Sequence, residues 1–228
     1  MKALVIALAV LDLAPISFLS LGLFFLAQLV DRLDARCRRM ALSGLVLVIL
    51  GSLAGAASNL SLAVSGEEIP LLATTLHVFG APGSALMAAA VIRARANALG
   101  PRVSRDPWLA PTLISWLFLI AAFCLNASYG GDAWSRILLA LSLSASTAIC
   151  IAAGVLGWKR QLHMAAGLFA FNAVAMILVA GLHLFTSQTI LIHMFAFLTS
   201  LAAQSAFAFA SWRVAAEYRA RVGPTAPN

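Results

Sequence analysis

The sequence predicts an all-α polytopic membrane protein, a bundle of seven transmembrane helices with its N-terminus outside the cytoplasm and its C-terminus inside. Three observations carry this. Apolar residues make up 62% of the 228-residue chain and charged residues only 10%, with mean hydropathy +0.97, more than a soluble domain needs to fill its core. The apolar residues form seven runs, each close to or above the roughly 20 residues that cross a bilayer. Thirteen of the 15 basic residues lie at or beyond the ends of the runs, on one side of the predicted bundle.

The runs place spans at about 3–30, 40–64, 70–93, 108–128, 133–158, 164–187 and 189–213. The first opens on Lys2 like a signal peptide, but it continues to about Val30 without a convincing small-residue cleavage site and is read as retained. It carries Asp12 just before Ala14-Pro15. The second contains Gly51-x-x-x-Gly55 followed by Ala56, Ala57 and Ser58, a small-residue stripe that lets another helix approach closely. Packing within the chain is the favoured use of that stripe, and an oligomer through this second helix is the alternative. The third span carries His77, and the longest connection, Ala94–Asp106, follows it with Gly100-Pro101 as breaker. The fourth ends near Asn126. The fifth bears Ser142, Ser144, Ser146 and Thr147, the sixth Asn172 and His183, and the seventh His193 and Gln204. Residues 1–215 are expected to form one transmembrane domain and 216–228 a short cytoplasmic tail.

Orientation follows from the basic residues. Arg32, Arg36, Arg38 and Arg39, then Arg93, Arg95, Arg102 and Arg105, then Lys159 and Arg160, then Arg213, Arg219 and Arg221 fall on one side, against Lys2 and Arg136 on the other. The positive-inside rule makes the crowded side cytoplasmic and requires an odd number of crossings. These arginines are read as topology determinants and contacts for anionic lipid. Trp108, Trp158 and Trp212 fall at inner interfaces and Trp134 at an outer one, whereas Trp116 is expected between helices. Short loops and an Ala/Leu/Arg-rich composition point to a bacterial inner membrane.

Composition also narrows the function. A net charge of +7 spread between apolar runs is not the basic face of a nucleic-acid-binding module. Cys37, Cys124 and Cys150 have neither the number nor the spacing of a disulfide framework or a CxxC metal site. A seventh span without lysine excludes a retinal Schiff base. A 3+1+3 repeat is allowed by helix count, but no internal similarity supports it.

Polar side chains inside a span are costly and must face protein or water. At about 1.5 Å per residue, Asp12, Asn59, His77, Asn126, His183 and His193 all fall in the outer half of the bilayer. Histidines at similar depth on three helices suit haem b or zinc, or proton exchange with a quinone carbonyl, because imidazole titrates near neutral pH. Asp12 is either a proton carrier or the partner of backbone groups freed by Pro15. Asn172, Gln204 and the serines of the fifth span are expected to make hydrogen bonds between helices. No continuous polar path across the membrane is visible.

The run Gly51-Ser-Leu-Ala-Gly55-Ala-Ala-Ser58-Asn59-Leu60, the basic loop before it, and Asn126-Ala-Ser-Tyr129 leading to Trp134 resemble the membrane anchor subunits of dimethyl-sulfoxide-reductase-type molybdoenzymes. The chain would be a shortened form, with seven helices instead of eight and Asn59 where that family has a histidine. The resemblance implies quinol handling near the outer face and electron transfer to an iron–sulfur partner.

The favoured function is therefore a redox membrane subunit holding quinone or haem among His77, His183 and His193, with Asn59 and Asn126 lining the cofactor site and Asp12 and His77 moving protons. One alternative is an intramembrane zinc hydrolase with His77, His183 and His193 as metal ligands and Asp12 activating water. A second is a non-enzymatic transporter, sensor or assembly protein.

Overall fold

Lipid offers no hydrogen-bond partner, so a chain crossing it must pair its own N–H and C=O groups, which a single segment can do only as helix. The computed structural model describes residues 2–67, 69–100, 106–129, 133–185 and 190–221, and their regular structure is entirely helical. The helices are α1 (Lys2–Leu11), α2 (Leu13–Leu33), α3 (Arg38–Ser65), α4 (Pro70–Leu99), α5 (Leu109–Tyr129), α6 (Ala133–Lys159), α7 (His163–Phe185) and α8 (Ile190–Arg221). Seven stretches are long and apolar enough to cross a membrane, the first formed by the end of α1 with α2.

Local chemistry sets the breaks. Pro15 has no N–H for the carbonyl of Leu11, and the helix is interrupted between them, at Asp12. Gly66 ends α3 in the left-handed region at φ +80°, where its N–H reaches the carbonyl of Leu62. Pro70 opens α4 at a position where no N–H is needed. Between α6 and α7 the N–H groups of Arg160 and Leu162 both turn back to the carbonyl of Gly157, with Gln161 at φ +61°.

Six helices close into a ring, each packed on the next in the order α2, α3, α4, α6, α7, α8 and back to α2. Outside the ring, α5 lies against α4 and α6, and α1 against α3. This corrects the expectation for Trp116. It sits on the outward side of α5 and is 59% exposed, because a helix with neighbours on one side alone turns the rest of its surface to lipid.

The tightest seam joins α3 to α4. A Cβ on Gly51 would lie 2.9 Å from the backbone N of Gly80 and the carbonyl of Leu76, and one on Gly44 only 2.8 Å from the carbonyl of Gly83. At Gly51 and Gly55 the small-residue stripe is thus filled by α4 of the same chain.

At the arginine-rich end the ring is solid. Leu26, Met40, Met87, Leu156, Phe169 and Val214 form part of one continuous core there. Two findings at this end differ from expectation. Hydropathy ended the last span at residue 213, yet α8 continues to Arg221, into the first residues of the predicted tail. Val214, Ala215 and Tyr218 are buried on one face, the Arg160 guanidinium lies 4.6 Å from the centre of the Tyr218 ring, and Arg219 donates to Gln28 Oε1 at 2.9 Å. Tertiary contact rather than lipid therefore holds this last stretch.

The second difference concerns Arg93. It donates through Nε to Asp34 Oδ2 at 3.2 Å, with both side chains nearly buried. The same carboxylate accepts from Asn97 Nδ2 at 2.7 Å, Cys37 Sγ at 3.4 Å and the backbone N–H of Arg36 at 3.1 Å. Arg93 is therefore one half of a clamp between the α2–α3 connection and α4, in addition to its weight in the charge asymmetry.

Candidate functional site

Toward the other end the ring opens inside. A cavity of about 190 Å³ lies among the six ring helices, each of which supplies part of its wall. Leu23, Val48, Ile149 and Phe207 belong both to the wall and to the solid core, so the core closes the cavity toward the arginine-rich end.

Helix register decides which polar groups reach it. Ser142 and Ser146 are four residues apart on α6 and share one face, which is the face turned inward. Ser144, two residues from each, points out and is exposed, while the Thr147 hydroxyl is turned back on the carbonyl of Leu143. The Ser142 hydroxyl meets that of Ser84 on α4 at 3.3 Å. The wall of α4 also holds Gly80 and Ala81, directly before Pro82, which leaves the carbonyl of Val78 without its helical donor. His77, one turn away, completes this side and meets the edge of Trp134 at a ring-centre distance of 5.8 Å.

Opposite, α7 contributes Asn172, only 2% exposed. Its Nδ2 donates to Cys150 Sγ on α6 at 3.3 Å and to Met176 Sδ at 3.8 Å. Its Oδ1 is buried and has no hydrogen-bond partner. Among the described residues lining the cavity there is no carboxylate, lysine or arginine.

The sequence-predicted residues divide. His77 lines the cavity. Asp12 and Asn59 are brought together, with Asn59 Nδ2 donating to Asp12 Oδ2 at 3.2 Å, but the pair sits where α1 packs on α3 and is not part of the cavity wall. The side chain of Asp12 makes no cap hydrogen bond on α2. His193 is exposed on α8, and Asn126 is exposed at the end of α5 outside the ring. Neither lines the cavity. The side chain of His183 and the turn at Thr186-Ser187-Gln188 lie outside the described residues, as do Glu68, Arg102, Arg105 and Asp132. Among the described residues no group of three His, Cys, Asp or Glu side chains is placed to hold a metal ion.

Ser52, Ser84, Ser142, Ser146 and Asn172 are the cavity groups that histidine-centred reasoning left out. The i, i+4 spacing of Ser142 and Ser146 was the available signal. Chemically, the cavity offers apolar walls, several hydroxyls, one imidazole and one unsatisfied carbonyl oxygen, which suits an uncharged guest of about one ring. It is too small for a haem, and among the described residues that line it His77 is the single imidazole.

Compared with known protein families, with curated proteins and with solved structures, the chain matches none.

Proposed function

We propose that this protein binds one small, neutral, mainly apolar molecule in the central cavity of its bundle, as a membrane sensor or carrier. The observation that carries the reading is the lining: six helices converge on one partly open cavity whose described walls contain hydroxyls, an imidazole and an amide but no charged carboxylate, lysine or arginine. Charge-free walls do not compensate the desolvation of an ion, whereas a neutral guest loses little on entry.

A quinone head is one such guest, and it keeps the redox-subunit reading in play. It is uncharged, has one ring, and carries carbonyls that an imidazole such as His77 can protonate or hydrogen-bond. The resemblance to molybdoenzyme anchor subunits favours that guest, and with it an iron–sulfur partner. For orientation, the charge asymmetry supports an outer N-terminus and an inner C-terminus in a bacterial inner membrane. A fluorescent protein fused after Asn228 is then expected to mature inside the cell, and a periplasm-dependent reporter at the same place to stay inactive.

The test of binding is photolabelling in bilayers with a one-ring trifluoromethyl-diazirine probe, followed by peptide mapping. Adducts in 138–150 are expected to be competed to saturation by unlabelled arene, whereas adducts on Ile114, Trp116 and Leu117, which face lipid, are not. Labelling of 138–150 that no competitor reduces would refute a cavity site. If the guest is a quinone, a short-chain quinone competes, and His77→Ala weakens that competition about tenfold, the effect of one lost hydrogen bond.

A further inference from the structure

Among the described residues lining the cavity, Asn172 alone has a buried side-chain polar atom without a hydrogen-bond partner. A buried amide normally uses both its N–H₂ group and its oxygen, because an unmet polar atom away from water is costly. Here the orientation of the amide is set by its neighbours. The thioether of Met176, 3.8 Å away, has lone pairs and no proton, so it can face only the N–H₂ side. The Cys150 thiol lies 3.3 Å from the same nitrogen. Oδ1 is left buried and without a donor from the chain, on a residue that lines the cavity.

We propose that Asn172 Oδ1 is the anchor for a hydrogen-bond donor on the guest, so that the cavity selects molecules bearing a hydroxyl or N–H over isosteres without one. The proposal rests on the cavity being a ligand site, and it narrows the ligand class to neutral, one-ring-sized alcohols, phenols or amides; of a quinone couple it favours the quinol, whose hydroxyls donate, over the quinone, whose carbonyls only accept. A site built around a buried acceptor discriminates strongly against a ligand lacking the donor, since binding that ligand leaves the acceptor unpaired. The Ser84–Ser142 hydroxyl pair can then accept from or donate to a second polar atom of the guest.

The experiment compares two competitors of near-equal shape, 4-ethylphenol and 4-ethylanisole, against a phenol carrying a trifluoromethyl diazirine. Protein in bilayers is labelled, and adducts in 138–150 are read at matched bilayer concentrations of each competitor. The phenol is expected to protect at about one-tenth the concentration of its methyl ether, the effect of one hydrogen bond. In Asn172→Leu the two are expected to become equal, while labelling of the segment persists and reports that the bundle is folded. Equal protection by both competitors in the unmodified protein overturns the donor selection and leaves the cavity reading standing. Labelling of 138–150 that neither competitor reduces overturns the cavity reading itself. The comparison in the unmodified protein does not depend on the variant folding.

Discussion

Replacing Asp34 with alanine is expected to destabilise the bundle by about 3 kcal/mol or more, the range for removing one partner of a buried ion pair. The arginine left behind is the reason. Arg93 has a side chain only 11% exposed and would keep its charge inside the seam between α4 and the α2–α3 connection. Asn97 and the backbone N–H of Arg36 would lose the same acceptor. The neighbouring pair Asp31–Arg38 is the internal control. At 3.8 Å and with side chains 39% and 61% exposed, it is screened by solvent, and Asp31→Ala should cost below about 0.5 kcal/mol. Denaturation followed in mild detergent or bilayers measures both. Equal losses for the two variants would show that Asp34 is not a clamp. The double variant Asp34→Ala/Arg93→Ala should lose less than the sum of the single changes, because both single changes break the same ion pair.

Gly51→Val should cost about 3 kcal/mol, near the upper end for overpacking, and should also deform the cavity. The obstacle is backbone: the added Cβ would meet the N of Gly80 and the carbonyl of Leu76 at 2.9 Å, and neither can rotate away as a side-chain tip could. The helices must separate, and Gly80 lines the cavity, so saturable labelling of 138–150 should fall along with stability. Gly154→Ala is the comparison, since its Cβ would find Phe169 at an ordinary 3.6 Å. If both substitutions are tolerated equally, the α3–α4 seam is looser than its geometry implies.

The two predictions expose different kinds of information in the chain. The small-residue stripe from Gly51 to Ser58 was visible because close helix approach demands small residues at a fixed spacing, a local pattern. The Asp34–Arg93 clamp was not visible. Asp34 stands in a connection and Arg93 at the charged end of a span, and nothing in the spacing of positions 34 and 93 states that the α2–α3 connection meets α4. The site shows the same division. Depth along a helix can be counted from its end, so His77, Asn126 and His193 can be assigned to the half of their spans away from the arginine-rich end. The direction each faces depends on how the helix is rotated against its neighbours, and this separates His77, in the wall of the cavity, from His193 and Asn126, at the surface of the bundle. Asp12 and Asn59 were chosen as individually expensive polar groups, and their contact comes from the packing of α1 on α3.

By itself the sequence determined that this is a seven-span helical membrane protein, with its basic residues gathered at one end and its intramembrane histidines toward the other. Hydrophobic length and charge position are properties of the chain in one dimension, and the bilayer acts on them directly. The tertiary structure alone decided that six helices form a ring, that α5 stands outside it, and that Asn172, Ser142 and Ser146 line a common cavity. Those outcomes depend on helix rotation and on which small-residue faces meet, and packing between helices in lipid is set by close side-chain and backbone fit rather than by hydrophobicity, which every face of these helices shares.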